Sequence, residues 1–209
     1  MKHTSVPIPE RMRSLPLDRR GYPVPVNVER DRTGKPNFAM NDESVRQRLF
    51  KEDRCSICGG KLLRGRWSVA GPGSALHEAG AFLDPPMHYE CARYAVQVCP
   101  YLALPSYSKS VSPLEPLEAG LVRGGLAYNP TVFPNRPSLF LLVMYVGQKL
   151  THYEGGFVRS LKPKRPLRRI EYWQDGRQLT EQDGREAAMQ YMREQDATWE
   201  AERARTPSR

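Results

Sequence analysis

Two short stretches decide the fold of this chain: Cys55-Ser-Ile-Cys58-Gly-Gly60 and Pro85-Pro-Met-His-Tyr-Glu-Cys91. The Cys-x-x-Cys spacing lets one tight turn present two thiolates to a zinc ion. Two glycines after the second cysteine suit such a turn, because glycine adopts positive φ without strain. The paired prolines mark a helix that begins at about Met87, and residues three apart in its first turn point the same way. The two stretches therefore predict one structural zinc ion, held by Cys55, Cys58, His88 and Cys91.

The order of these signals is typical of a treble-clef zinc module. A zinc knuckle is followed by a predicted β-hairpin, of about residues 61–63 and 66–69, and then by a helix that donates two ligands. A thioredoxin-like redox motif would instead continue its second cysteine into a helix, which two glycines disfavour. The alternative to a metal site is four unrelated Cys and His residues in a reduced core.

Two further residues compete for the metal. Cys99 follows Cys91 by eight positions, so in one helix their Cα atoms would lie about 12 Å apart. Because each sulfur must approach zinc to about 2.3 Å, both cannot ligate one ion unless the helix breaks. We expect Cys99 to be a buried thiol where Pro100 ends the helix. His77 lies in a glycine-containing loop and is an alternative ligand, although an exposed loop histidine is the default interpretation.

Working outward from the zinc segment, the sequence predicts an α+β fold. It contains 19 prolines and 16 glycines, which favour turns and irregular loops over long regular elements. We expect an extended N-terminal arm and short helix in 1–54, a treble-clef-like zinc module in 55–102, an irregular Pro-rich connection in 103–136, and a β-hairpin or small antiparallel sheet with a C-terminal helix in 137–209. These parts are expected to form one compact unit.

Local signals outside the zinc segment predict individual elements. Apolar residues alternate from Tyr22 to Val28, so the N-terminal arm should pack along its own domain. Asn41 or Asp42 can cap a helix that runs through Phe50. Residues 139–146 are apolar throughout, as in a strand buried on both faces. Further signals are an Asp-Gly hairpin turn at 175–176 and a capping-box-like helix start at Thr180 and Asp183.

The charge distribution suggests a binding surface. The chain has 32 Lys and Arg against 23 Asp and Glu, a net charge of +9, and a basic surface attracts phosphate backbones and acidic protein faces alike. The densest stretch, residues 159–169, contains no acid; the alternative interpretation is a charged, solvated strand edge. The predicted nucleic-acid contacts are Arg159, Lys162, Lys164, Arg165, Arg168 and Arg169, with Trp173 placed to stack on bases. A second basic patch would comprise Arg46, Arg48, Lys51, Arg54, Arg64 and Arg66.

The sequence favours a non-enzymatic cytoplasmic protein with no membrane association. The longest apolar run has eight residues, 139–146, against the roughly 20 that span a bilayer. Four cysteines in a reducing cytosol indicate metal binding more than disulfides. Four protein ligands close a zinc site and leave no open position for hydrolysis, and the hairpin lacks the histidine that a His-Asn-His nuclease needs. His152 and Glu154 could form an acid–base pair, although strand spacing explains their arrangement equally well.

The run from Asp84 to Leu102 resembles an uncharacterised group of bacteriophage and bacterial-genome proteins. The shared pattern is Cys-x-x-Cys-Gly, then Pro-Pro-x-His-x-x-Cys-Ala and Cys-Pro-aromatic-Leu, with further agreement at residues 21–25 and 171–177. The resemblance implies a phage or prophage origin, hence the bacterial host cytoplasm, and a shared zinc scaffold, but no known activity. Similar proteins often carry a further cysteine after the equivalent of Gly71-Pro72, where this chain has Gly73-Ser74. The resulting hypotheses are a nucleic-acid-binding accessory or regulatory factor, an anti-defence or host-takeover inhibitor that binds an acidic host protein, and an unrecognised enzyme.

Overall fold

The computed structural model describes residues 6–104 and 137–205. After a short 3-10 helix, Glu10–Met12, five helices and eight strands follow in the described residues. The helices are α1 (Glu43–Glu52), α2 (Pro72–Leu76), α3 (Tyr89–Val98), α4 (Pro100–Ala103) and α5 (Glu181–Arg205). The strands are β1 (Val28–Arg30), β2 (Pro36–Asn41), β3 (Arg66–Ala70), β4 (Phe140–Tyr145), β5 (Gln148–His152), β6 (Val158–Pro163), β7 (Arg169–Gln174) and β8 (Arg177–Gln178).

A four-stranded antiparallel sheet of order β3-β4-β7-β8 forms the centre of the molecule. Its neighbours are two separate two-stranded sheets, β1-β2 and β5-β6. In the central sheet Trp67 faces Met144, and Leu141 faces Tyr172. The chain is thus α+β, with small antiparallel sheets and a C-terminal helix, as the sequence predicts.

The central sheet divides the interior into two apolar cores. On one face, Leu142 and Trp173 pack with Trp67, Cys91 and Val96 of the zinc module. On the other face, the neighbouring side chains of the same strands pack with α2, α5 and the β5-β6 sheet; they are Leu141, Val143, Tyr145 and Tyr172. Because both faces are covered, β4 is buried along almost its whole length, which confirms the prediction for 139–146.

The N-terminal arm packs on the zinc module. Met12 and Leu15 belong to the same core as Cys55 and Cys91. The amide of Val26 donates a 2.9 Å hydrogen bond to the carbonyl of Ile57 in the knuckle. The alternating pattern of the arm therefore reflects docking on its own domain, as predicted.

Several local predictions are confirmed. Asp42 is the N-cap of α1 and accepts a 3.1 Å hydrogen bond from the amide of Val45. Asp175 and Gly176 both have positive φ, 49° and 76°, and they form the β7–β8 turn. Thr180 directly precedes α5, and its hydroxyl accepts a 3.2 Å hydrogen bond from the amide of Asp183.

The predicted zinc hairpin is wrong in its pairing. Its second strand exists as β3, but β3 pairs with β4, about 75 residues later, with Trp67 opposite Met144. Residues 61–63 form no strand and contribute a single bridge, Arg54 to Lys61. The helix also begins later than expected, at Tyr89, so that His88 is its N-cap. The Pro-rich connection predicted for 103–136 lies outside the described residues apart from Ala103 and Leu104.

Candidate metal centre and cationic hairpin

Four side chains converge between the knuckle and the start of α3. The sulfur atoms of Cys55, Cys58 and Cys91 and a ring nitrogen of His88 all lie within 4.8 Å of one another. Cys55 and Cys91 are fully buried, and His88 is 5% exposed. The predicted set thus lies together in one group, which could hold a metal ion.

The knuckle is shaped by backbone hydrogen bonds around a glycine. The amide of Cys55 donates to the carbonyl of Gly60, and the amide of Gly59 donates to the carbonyl of Cys55, each at 2.9 Å. Gly59 has φ of 71°, a left-handed conformation that side-chain-bearing residues adopt at a cost. The amide of Gly60 then donates to the sulfur of Cys58 at 3.4 Å, which stabilises a thiolate at that position.

His88 is oriented for metal binding through Nδ1. Its Nε2–H donates a 2.9 Å hydrogen bond to the carbonyl of Lys61, so that the unprotonated nitrogen is Nδ1. Nδ1 lies 3.3 Å from the sulfur of Cys58, against the roughly 3.5 Å expected between two ligand atoms of a tetrahedral zinc site. A hydrogen bond from the outer ring nitrogen to a carbonyl is the usual way in which a ligating histidine is held.

The electrostatics of the group call for a cation. The thiols of Cys58 and Cys91 hydrogen-bond to the sulfur of Cys55 and hold its pKa far below the usual range. The same interaction with Cys55 raises the pKa of both Cys58 and Cys91. Three thiolates in contact repel one another, and a bound dication removes that repulsion. Three thiolates and one imidazole are a donor set typical of a structural zinc site, with all four positions taken by the protein.

Neither competing ligand belongs to the group. Cys99 is the C-cap of α3, just before α4 begins at Pro100, which fits the helix end expected there, but its thiol is half-buried rather than buried. His77 accepts a 3.0 Å hydrogen bond from the amide of Ala79 through Nδ1. Both residues therefore lie outside the metal group found in the described part of the chain.

The basic stretch forms the second candidate site. We call residues 148–168, which comprise β5, β6 and the segment before β7, the cationic hairpin. Lys149 and Lys162 are direct partners across its ladder, and like charges in that position repel. Arg159, Lys164 and Arg168 are exposed. Within the described residues no ion pair joins any of these five side chains to a carboxylate.

Three members of the predicted nucleic-acid set contact other parts of the protein. Arg165 donates to the carbonyls of Ala75, Leu76 and His77 at 3.0 to 3.2 Å, at the end of α2. Arg169 forms a 2.6 Å ion pair with the buried carboxylate of Glu171. The prediction for Trp173 is wrong: it is 3% exposed and cannot stack on a base.

The predicted second basic patch is also wrong in part. Arg46 is 4% exposed, and Arg66 and Arg54 form ion pairs with Asp53 and Glu52. The local sequence cannot distinguish a solvated arginine from one that neighbouring groups satisfy.

Arg46 instead anchors the cationic hairpin to α1. Its guanidinium donates to the carbonyls of Leu83, Val158 and Arg159 at 2.7 to 2.9 Å. It also forms a 2.7 Å ion pair with Glu43. The neighbouring Gln47 donates to the carbonyl of Val158 and accepts from its amide, at 2.8 and 2.7 Å. The tip end of β6 is therefore fixed to the helix that leads into the knuckle.

Sequence reasoning missed two aromatic residues at the tip of the hairpin. Tyr153 lies 5.6 Å below the guanidinium of Arg159, measured to the ring centroid, and Phe157 is 59% exposed. The tip turns through Gly155 and Gly156, whose φ values are 95° and 84°. This Gly-Gly pair between two short polar strands was the available hairpin signal.

Among the described helices, none combines the length and the apolar composition needed to cross a membrane. Comparisons of the chain with protein-family models, with curated proteins and with solved structures gave no match.

Proposed function

We propose that this protein is a zinc-stabilised nucleic-acid-binding factor, with the metal group as its scaffold and the cationic hairpin as its contact surface. The observation that carries the proposal is the concentration of exposed cations without acidic partners on one hairpin, with Lys149 opposite Lys162. The hairpin contains a single acid, Glu154 in its turn, and residues 155–170 contain none. A phosphate backbone would remove the repulsion between these cations and release its own counterions.

Zinc is the favoured metal because of the donor set. Thiolates select soft or borderline ions, and three thiolates with one imidazole in a closed group suit a structural zinc ion. The ion would contribute folding free energy, since the ligands come from two segments about 30 residues apart. None of the four cysteines forms a disulfide, which also favours a reducing compartment such as the cytoplasm. The sequence resemblance adds a phage or prophage origin to this proposal.

Salt-dependent binding tests the proposal. If Lys149, Arg159, Lys162, Lys164 and Arg168 engage five phosphates of a single strand, affinity should fall about a hundredfold between 50 and 200 mM salt. Fluorescence anisotropy with labelled oligonucleotides measures this loss. The double variant Lys162→Glu/Lys164→Glu, which reverses two charges, should weaken binding. It should also reduce the slope of log affinity against log salt concentration by the contribution of about two phosphate contacts.

A matched double variant separates a local contact from net charge. Arg48 and Lys51 are exposed residues of α1, and Arg48→Glu/Lys51→Glu changes the net charge by the same amount. Equal losses in both variants would mean that only the overall field matters, and the hairpin would not be the contact surface. Absence of nucleic-acid binding, with nuclease-resistant capture of one acidic host protein, would favour the inhibitor hypothesis.

A further inference from the structure

The tip of the cationic hairpin presents an aromatic ring to solvent. Phe157 is the most exposed aromatic residue of the described chain, at 59%. The other markedly exposed rings are partly covered: Phe38 lies 5.4 Å from the guanidinium of Arg20, and Tyr101 lies 5.8 Å from the ring of Phe140. Within the described residues no ring or cation covers Phe157 in this way. An exposed aromatic ring at the end of a charged hairpin is available to stack on a ring of a partner.

The tip is held in place. The amide of Tyr153 donates to the carbonyl of Phe157 at 2.9 Å and closes the turn. Directly after Phe157, the backbone of Val158 is bound by Gln47 and Arg46 of α1. The ring is therefore carried on an anchored backbone, which reduces the ordering cost of binding.

The same hairpin also carries a second ring and several cations. Arg159 lies over Tyr153, and Lys149 lies four residues before Tyr153 on β5, about 13 Å along the strand. Aromatic rings that alternate with cations along a groove or ridge are the features with which proteins bind single-stranded nucleic acids.

We infer that the hairpin tip selects unpaired bases, so that the protein binds single-stranded nucleic acid in preference to duplex. This inference rests on the proposed function. Phe157 can stack only on a base whose face is free, and in a duplex both faces are covered by neighbouring base pairs. A two-stranded ribbon could also enter a major groove, but readout there needs hydrogen-bonding side chains. At the tip, Gly155, Gly156 and Phe157 have no polar side-chain atoms, and the exposed side chain of Glu154 is a carboxylate that can accept hydrogen bonds but not donate them.

The test compares three probes at one salt concentration: an oligo-dT, an oligo-rU and a duplex of equal length. The wild type should bind at least one single strand more tightly than the duplex, and the two single-stranded probes distinguish DNA from RNA. Phe157→Ala should weaken single-strand binding by about fivefold to a hundredfold and leave duplex binding within about twofold. Phe157→Trp should retain single-strand affinity, because the ring is preserved. Phe38→Ala, which removes an exposed ring elsewhere, is the matched control and should change neither.

Each contrary outcome identifies the step that fails. If Phe157→Ala leaves single-strand binding unchanged while Lys162→Glu/Lys164→Glu reduces it, the tip inference is wrong and the proposed function survives. If Phe157→Ala weakens duplex and single-strand binding equally, the inference that the tip selects unpaired bases is wrong, and the proposed function again survives. If the wild type binds none of the three probes, both proposals fail.

Discussion

Arg46→Ala is expected to destabilise the protein far more than any surface arginine substitution. The truncation removes a charged donor that is 4% exposed and serves the carbonyls of Leu83, Val158 and Arg159. A hydrogen bond to a charged group contributes about 1.5 to 3 kcal/mol, and breaking a buried ion pair costs about 3 to 5 kcal/mol. Gln47 still donates to the carbonyl of Val158, so one acceptor keeps a partner. We therefore expect the free energy of unfolding to fall by about 3 to 4 kcal/mol.

Urea denaturation of the zinc-saturated protein measures this effect. For an m value of about 2 kcal/mol/M, the midpoint should fall by about 1.5 to 2 M. Arg48→Ala, on the exposed side of the same helix, is the control and should change stability by less than about 0.5 kcal/mol. Arg46→Lys should lie between the two, because one ammonium lacks the planar fork that reaches several acceptors. A loss in Arg46→Ala within 1 kcal/mol of the control would refute the anchoring role.

Three further predictions concern the metal, a glycine and a cap. Mass spectrometry should find one zinc per chain in the wild type and in Cys99→Ser, and none in Cys55→Ser; zinc retained in Cys55→Ser would contradict the ligand assignment. Gly184→Ala should lower the midpoint of thermal unfolding, because an added Cβ would overlap the ring of Tyr172. This is the opposite of the usual effect, since alanine in a helix is normally more stable than glycine by about 1 kcal/mol. A raised midpoint would contradict this packing. Asp42→Ala should cost about 1 kcal/mol at pH 7. Hydrogen bonds to its carboxylate lower the pKa of Asp42 in the folded state. Its contribution to the free energy of unfolding is therefore present above the unfolded pKa and is lost as pH falls through the folded pKa. A stability difference between variant and wild type that stays the same at acid pH would contradict this prediction.

Local chemistry in the sequence was sufficient for the elements whose cause is local. The caps at Asp42 and Thr180, the turn at Asp175-Gly176 and the four-residue metal group each follow from residues a few positions apart or from the chemistry of one ion. These features need no knowledge of what packs against them.

The partner of β3 could not be predicted in this way. A five-residue strand of mixed polar and apolar side chains can pair with any neighbouring strand. Only packing between the zinc module and β4 selects the observed register, with Val69 opposite Leu142. Trp173 illustrates the same limit. On β7, Glu171, Tyr172 and Trp173 are all buried, because each face of the sheet carries a core, and the alternation that would reveal an exposed side is missing.

The arrangement of the N-terminal arm has a consequence for biosynthesis. Met12 and Val26 rest on a core that also requires Cys91 and, through the sheet, Leu142 and Trp173. During vectorial synthesis the arm therefore emerges from the ribosome long before most of its binding surface exists. Contacts of such high sequence separation form late and slowly. The apolar side chains of the arm therefore stay partly exposed until the last strands of the sheet are synthesised. Early zinc binding by the knuckle and α3 would give the arm its first surface on which to dock.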